Sequence, residues 1–158
     1  MPLYWSWVPS SPAPRPAVPT PKVLLIEDDE ASQYIYGTLL RRHGFDVRSA
    51  RFGGAGLDAA RADPPDVVLL DLGLPGVDGF HVLRELKGDP ATCHVPVVVI
   101  TVHAFEHDRE RAMAAGCDVF LAKPLPPSEL LAILRRTIAL PLAALREPSF
   151  VVPGESAA

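Results

Sequence analysis

The sequence predicts an α/β fold built on a doubly wound, five-stranded parallel sheet. Two observations lead there. Short continuous apolar runs, rich in Val, Ile and Leu, recur through residues 22–140. They are too short for buried helices and apolar on both faces, as strands covered on two sides are. Between them lie amphipathic stretches that open at polar residues and stop at glycine or proline.

Taken in order, Val23–Ile26 is the first apolar run, and it ends in acids. Ala31–Arg42 reads as a helix with Ala31, Ile35, Leu39 and Arg42 on one face and Gly44 as its stop. Phe45–Ala50 is strand-like, and Gly53–Arg61 is a weak helix closed by Pro64-Pro65. Val67–Leu70 is another apolar strand, followed by a helix over Asp78–Lys87 with Phe80, Leu83 and Leu86 inward. Val97–Ile100 is a β-branched run, and Phe105–Ala115 is a helix stopped by Gly116. Asp118–Ala122 is the fifth strand, and Ser128–Ala139 the last helix, with Leu131, Leu134 and Ile138 in register before Pro141. Strand then helix, repeated in this way over about 120 residues, fits a flavodoxin-like sandwich with strand order 2-1-3-4-5.

The chain has 158 residues, of which 48% are apolar, enough for one domain with a sizeable core. Net charge is −4 with no run of Lys or Arg, which argues against a nucleic-acid partner. No apolar stretch approaches the roughly 20 residues of a spanning helix, and the proline-broken N-terminus does not read as a signal peptide. A cytoplasmic protein with no membrane partner is expected, its Cys93 and Cys117 reduced and without zinc-like spacing. Residues 1–21 form a Pro-rich N-terminal tail, expected to be mobile despite Tyr4, Trp5 and Trp7. Residues 22–140 form the domain, and 141–158 a C-terminal tail in which Phe150–Val152 is the apolar feature.

In an open parallel sheet, ligands bind outside the carboxyl ends of the strands where strand order reverses. For order 2-1-3-4-5 that crevice lies between the first and third strands. The first strand ends in Glu27-Asp28-Asp29, the third in Asp71, the fourth in Thr101, and the fifth runs into Lys123-Pro124. Singly, each is an ordinary loop acid, hydroxyl or lysine. Together at the ends of one sheet they make a costly cluster of like charges that a cation would relieve. Oxygen ligands of this kind suit Mg²⁺. Metal, lysine and hydroxyl can then hold the oxygens of a phosphoryl group, with an aspartate as nucleophile.

Four segments carry a resemblance: KVLLIEDDE at 22–30, VVLLDLGLPGVDG at 67–79, PVVVIT at 96–101 and AGCDVFLAKP at 115–124. From Lys22 to about Leu140 the chain resembles a response-regulator receiver domain, the phospho-accepting module of two-component signalling. The resemblance implies that Asp71 is the phospho-acceptor. It implies Mg²⁺ held by Asp28 directly, by Glu27 through water, by Asp71, and by the backbone carbonyl of Gly73. Thr101 would bond a phosphoryl oxygen, and Lys123 would pair with the acceptor or its phosphate. Phe120 stands at the switch aromatic, and the Lys123–Pro124 peptide is expected to be cis. Asp29, one place beyond the pair, would cap the first helix.

Three positions depart from the pattern. Val102 follows Thr101 where a small residue is usual. Gly56 replaces an alanine, at a cost to the second helix of roughly 1 kcal/mol. Val119 stands where one DNA-binding subfamily carries a dimer-forming acid. The expectation is a stand-alone receiver that is not an enzyme beyond its own phosphorylation and dephosphorylation. Its donor would be a histidine kinase or histidine phosphotransfer protein, and its output a downstream protein effector. A receiver that never takes phosphate, acting as an interaction module, and an aspartyl-phosphate hydrolase are the rival readings.

Overall fold

The computed structural model describes residues 19–139. The two tails, with Tyr4, Trp5, Trp7 and Phe150–Val152, lie outside the described residues apart from residues 19–21.

The chain runs through β1 (Lys22–Ile26), α1 (Glu30–Arg42), β2 (Asp46–Ala50), α2 (Gly53–Ala62) and β3 (Val67–Leu70). It continues through α3 (Gly79–Gly88), β4 (Val97–Thr101), α4 (Glu106–Ala114), β5 (Val119–Ala122) and α5 (Pro127–Ala139). All strand pairs are parallel, in the order β2-β1-β3-β4-β5, as the sequence predicts. Boundaries differ from expectation by a residue or so, mainly through the caps. Asp78, for instance, is the N-cap of α3, its carboxylate accepting the Phe80 N–H at 3.0 Å. Gly44 and Gly116 take positive φ just past α1 and α4, which only glycine does without strain.

Each apolar run divides its side chains between two cores, because successive residues of a strand point to opposite faces. Leu24, Ile26, Val68, Leu70, Val97, Val99 and Phe120 join one cluster, which contains α2, α3 and α4 residues. Val23, Leu25, Val67, Leu69, Val98, Ile100 and Leu121 join the other, with Leu40 of α1 and Leu130, Leu131 and Leu134 of α5. Phe80, Leu83 and Leu86 of α3 are buried, as expected from their spacing.

One expected feature of α1 is corrected. Ala31, Ile35 and Arg42 are exposed, and of that stripe only Leu39 packs on the core. Gly37 and Leu40 are buried instead, with Tyr36 half-buried beside them. Spacing of three and four residues fits several faces of a helix. Which one turns inward depends on where the Asp29 cap sets the first turn, and residue spacing does not carry that.

Gly56 also has a different meaning from the one its helix propensity suggests. A Cβ at Gly56 would lie 2.5 Å from Cδ1 and 2.8 Å from Cγ1 of Ile26 in β1. The glycine lets α2 sit close on the sheet. Gly79 plays the same part for the loop after β3, where a Cβ would lie 2.5 Å from Leu72 Cα.

Candidate functional site

The hydrogen-bond ladder runs on past the ends of the strands and fixes the residues that follow them. Glu27 N–H donates to Ala50 O at 3.0 Å, Asp71 N–H to Ile26 O at 3.0 Å, and Lys123 N–H to Thr101 O at 2.9 Å. Alternation along the strands then decides which side chains meet. Glu27, Asp71 and Lys123 fall in step with the face that α1 and α5 cover, while Thr101 falls in step with the other. The Lys123–Pro124 peptide is cis, as the resemblance implies.

Three charges meet accordingly. Lys123 Nζ donates to Glu27 Oε2 at 2.5 Å and to Asp71 Oδ2 at 3.0 Å. Glu27 and Asp71 are buried, and Lys123 is nearly so. Burial pushes the Glu27 carboxyl above its ordinary value despite Lys123 beside it. Burial pulls the Lys123 ammonium down, but its bonds to Glu27 and Asp71 outweigh that and leave it raised.

Oxygens of Glu27, Asp28 and Asp71 lie within 4.8 Å of one another. Three carboxylates face one ammonium, so the cluster carries an excess of negative charge in a place poorly reached by water. An all-oxygen donor set with that imbalance fits a hard divalent cation such as Mg²⁺.

The remaining expected residues are placed as follows. Gly73 sits beside Asp71, its N–H donating to Asp71 Oδ1 at 2.9 Å. Thr101 is buried, and its hydroxyl oxygen accepts the His103 N–H at 3.2 Å. Phe120 is already buried, paired in register with Val99. Asp29 stands outside the charge cluster and caps α1, accepting the Ser32 N–H at 2.7 Å, while its own N–H donates to Glu27 Oε1 at 3.1 Å.

Two residues on α1 border the site without having been singled out in the sequence. Gln33 Nε2 donates to the Glu27 carbonyl at 3.2 Å. The Tyr36 ring lies near Lys123, its centroid 5.8 Å from Nζ. Their places four and seven residues past the Asp29 cap, on one helical face, are the signal that could have found them, and the apolar pattern drew attention to another face.

The response regulator receiver domain family matches residues 23–135. This chain belongs to that family. It is 35% identical over 106 residues to the polar-differentiation response regulator DivK of Brucella ovis, covering 67% of this chain and 86% of DivK. It is 39% identical over 114 residues to the response regulator PleD of Caulobacter vibrioides, 72% of this chain but only 25% of PleD. Among solved structures, the receiver domain of a Pseudomonas aeruginosa sensor histidine kinase superposes with a TM-score of 0.72 at 32% identity. The match covers 77% of this chain and all of that one, whose crystal structure has a magnesium ion coordinated in its active-site cleft.

Proposed function

We propose that this receiver domain takes a phosphoryl group onto Asp71 from a phosphohistidine, and that the modification switches its contacts with a downstream protein. The observation that carries the reading is the setting of Asp71. Its carboxylate lies between the Lys123 ammonium at 3.0 Å and the Gly73 N–H at 2.9 Å, beside two further acids.

In the transfer, an Asp71 oxygen forms a bond to phosphorus as the phosphorus–nitrogen bond of the donor breaks, and the electron pair leaves with the imidazole. Lys123 stays beside the acceptor and donates to a phosphoryl oxygen, where charge builds up. Thr101 supplies a hydroxyl from the end of β4. Glu27, Asp28 and Asp71, with the Gly73 carbonyl, would hold Mg²⁺. When bound, the ion would supply positive charge that offsets the carboxylates and stabilises charge on the transferring group.

Switching then shifts an existing equilibrium. Thr101 drawn toward the phosphoryl group loosens the end of β4 beside α4 and β5, the surface that would meet an effector. Phe120, already inward, would report the change by repacking within the core. The chain performs no turnover on other substrates in this reading, only its own phosphorylation and dephosphorylation. The donor is a histidine kinase or histidine phosphotransfer protein, and the setting is the cytoplasm. In support, no helix among the described residues is long and apolar enough to cross a membrane.

The test is incubation with a phosphohistidine donor and Mg²⁺. The wild type should take up phosphate, and Asp71→Asn, folded as judged by circular dichroism, should take up none. Undiminished labelling of Asp71→Asn would overturn the acceptor assignment. No labelling of the wild type would leave the chain an interaction module.

A further inference from the structure

The charged cluster has a wall on the α1 side whose residues have no role in the chemistry above. Gln33 and Tyr36 are one helical turn apart and so share a face. Gln33 holds the Glu27 carbonyl at 3.2 Å. Tyr36 packs half-buried against the apolar cluster on that side of the sheet, and its ring centroid is 5.8 Å from Lys123 Nζ. That is within the range over which an aromatic face attracts an ammonium. Burial raises the Tyr36 phenol above its ordinary value, so the ring stays neutral beside the carboxylates.

A lysine side chain is long and rotatable, and its ammonium is strongly hydrated. Two carboxylates give Lys123 its direction, but both also belong to the acid cluster that a cation would engage. Something else has to keep the ammonium from swinging out to water when one carboxylate turns to another partner. We infer that Tyr36 is a positioning residue whose ring face holds the Lys123 ammonium against Glu27 and Asp71. The ring does this, not the hydroxyl, so phenylalanine suffices and an aliphatic side chain of similar bulk does not. The consequence for phosphoryl transfer rests on the phospho-acceptor reading.

The experiment uses the full chain with Tyr36→Phe, Tyr36→Leu and Tyr36→Met, each also combined with Lys123→Ala. The first arm needs neither metal nor phosphate. The chain has three lysines, Lys22, Lys87 and Lys123, so their side-chain signals are readily resolved by nuclear magnetic resonance. The Cε protons of Lys123 should show ring shielding in the wild type and in Tyr36→Phe, and lose it in Tyr36→Leu and Tyr36→Met. The second arm is the rate of phosphorylation by acetyl phosphate at saturating Mg²⁺. Tyr36→Leu and Tyr36→Met should be slower by roughly three- to tenfold, the size of a partly buried cation–π contact. Tyr36→Phe should restore the rate to within about twofold, well inside that contact's worth. In the Lys123→Ala background, neither aliphatic variant should slow the reaction further.

Wild-type behaviour of the aliphatic variants in both arms would overturn the inference. So would a Phe variant as impaired as Leu, or an equal slowing with Lys123 already removed. A wild type that takes no phosphate would overturn the proposed function instead, and the first arm would still decide this one.

Discussion

Lys87 and Asp118 form an ion pair of 2.6 Å at the edge of the sheet opposite the charged cluster, each side chain only 14% exposed. Asp118 also accepts the Val97 N–H at 2.8 Å, and Lys87 also donates to Val95 O at 2.9 Å. The pair therefore ties the end of α3 to the entrances of β4 and β5. Removing one partner leaves the other nearly buried and unpaired. Asp118→Ala should destabilise the domain by about 2–4 kcal/mol in urea denaturation, somewhat less than a fully buried pair because some water reaches this one. Asp118→Asn, which keeps an acceptor for Val97, should lose less. Equal losses would show that the bond to Val97 contributes nothing and that the ion pair with Lys87 accounts for the whole effect.

The two neighbouring aspartates after β1 should separate cleanly. Asp28 contributes oxygens to the acid cluster, whereas Asp29 caps α1. Asp28→Ala should weaken Mg²⁺ binding by an order of magnitude or so, the scale of one lost direct carboxylate ligand. Asp29→Ala should leave that affinity nearly intact and lower the thermal midpoint instead. Calorimetric titration with Mg²⁺ and a thermal melt of both variants decide it. The reverse pattern would move the metal carboxylate by one residue.

Gly56→Ala sets helix propensity against packing. Propensity alone favours alanine by roughly 1 kcal/mol. The added Cβ, however, would press on Cδ1 and Cγ1 of Ile26, which is wholly buried in β1. Overpacking of a filled core costs roughly 1–3 kcal/mol, so the net effect should be a loss of about 1 kcal/mol. A rise in the denaturation midpoint would mean that Ile26 shifts freely and that the glycine is dispensable.

The two thiols should differ sharply toward reagents. Cys93 is exposed, while Cys117 is buried and its thiol is pushed up to about 12 by that burial. A thiol-reactive probe at pH 8 should modify Cys93 in the native protein and reach Cys117 only on unfolding. Mass spectrometry of the labelled peptides reads this directly. Rapid native labelling of Cys117 would show that the end of α4 opens.

The order of the sheet and the carboxyl-edge crevice were legible in the chain. Apolar runs such as Val67–Leu70 and Val97–Ile100 state locally that they are buried on both sides, and the topology then fixes where each run ends. That is why Glu27, Asp28, Asp71, Thr101 and Lys123 could be named in advance, and why the family resemblance rests on those strand ends. The caps were legible for the same reason, since Asp29 binds an N–H three residues away.

Tertiary structure decided the rest. Lys123 meets Glu27 across 96 residues of sequence because both continue the same face of the sheet. The inward face of α1, with Gln33 and Tyr36 beside the cluster, depends on how the helix is rotated on the sheet, and spacing leaves that open. The close seat of Gly56 on Ile26 and the Lys87–Asp118 pair depend on the distance between layers. A sequence specifies periodicity and strand ends through neighbouring residues. Rotation, depth and long-range pairing emerge only when all the elements are packed at once.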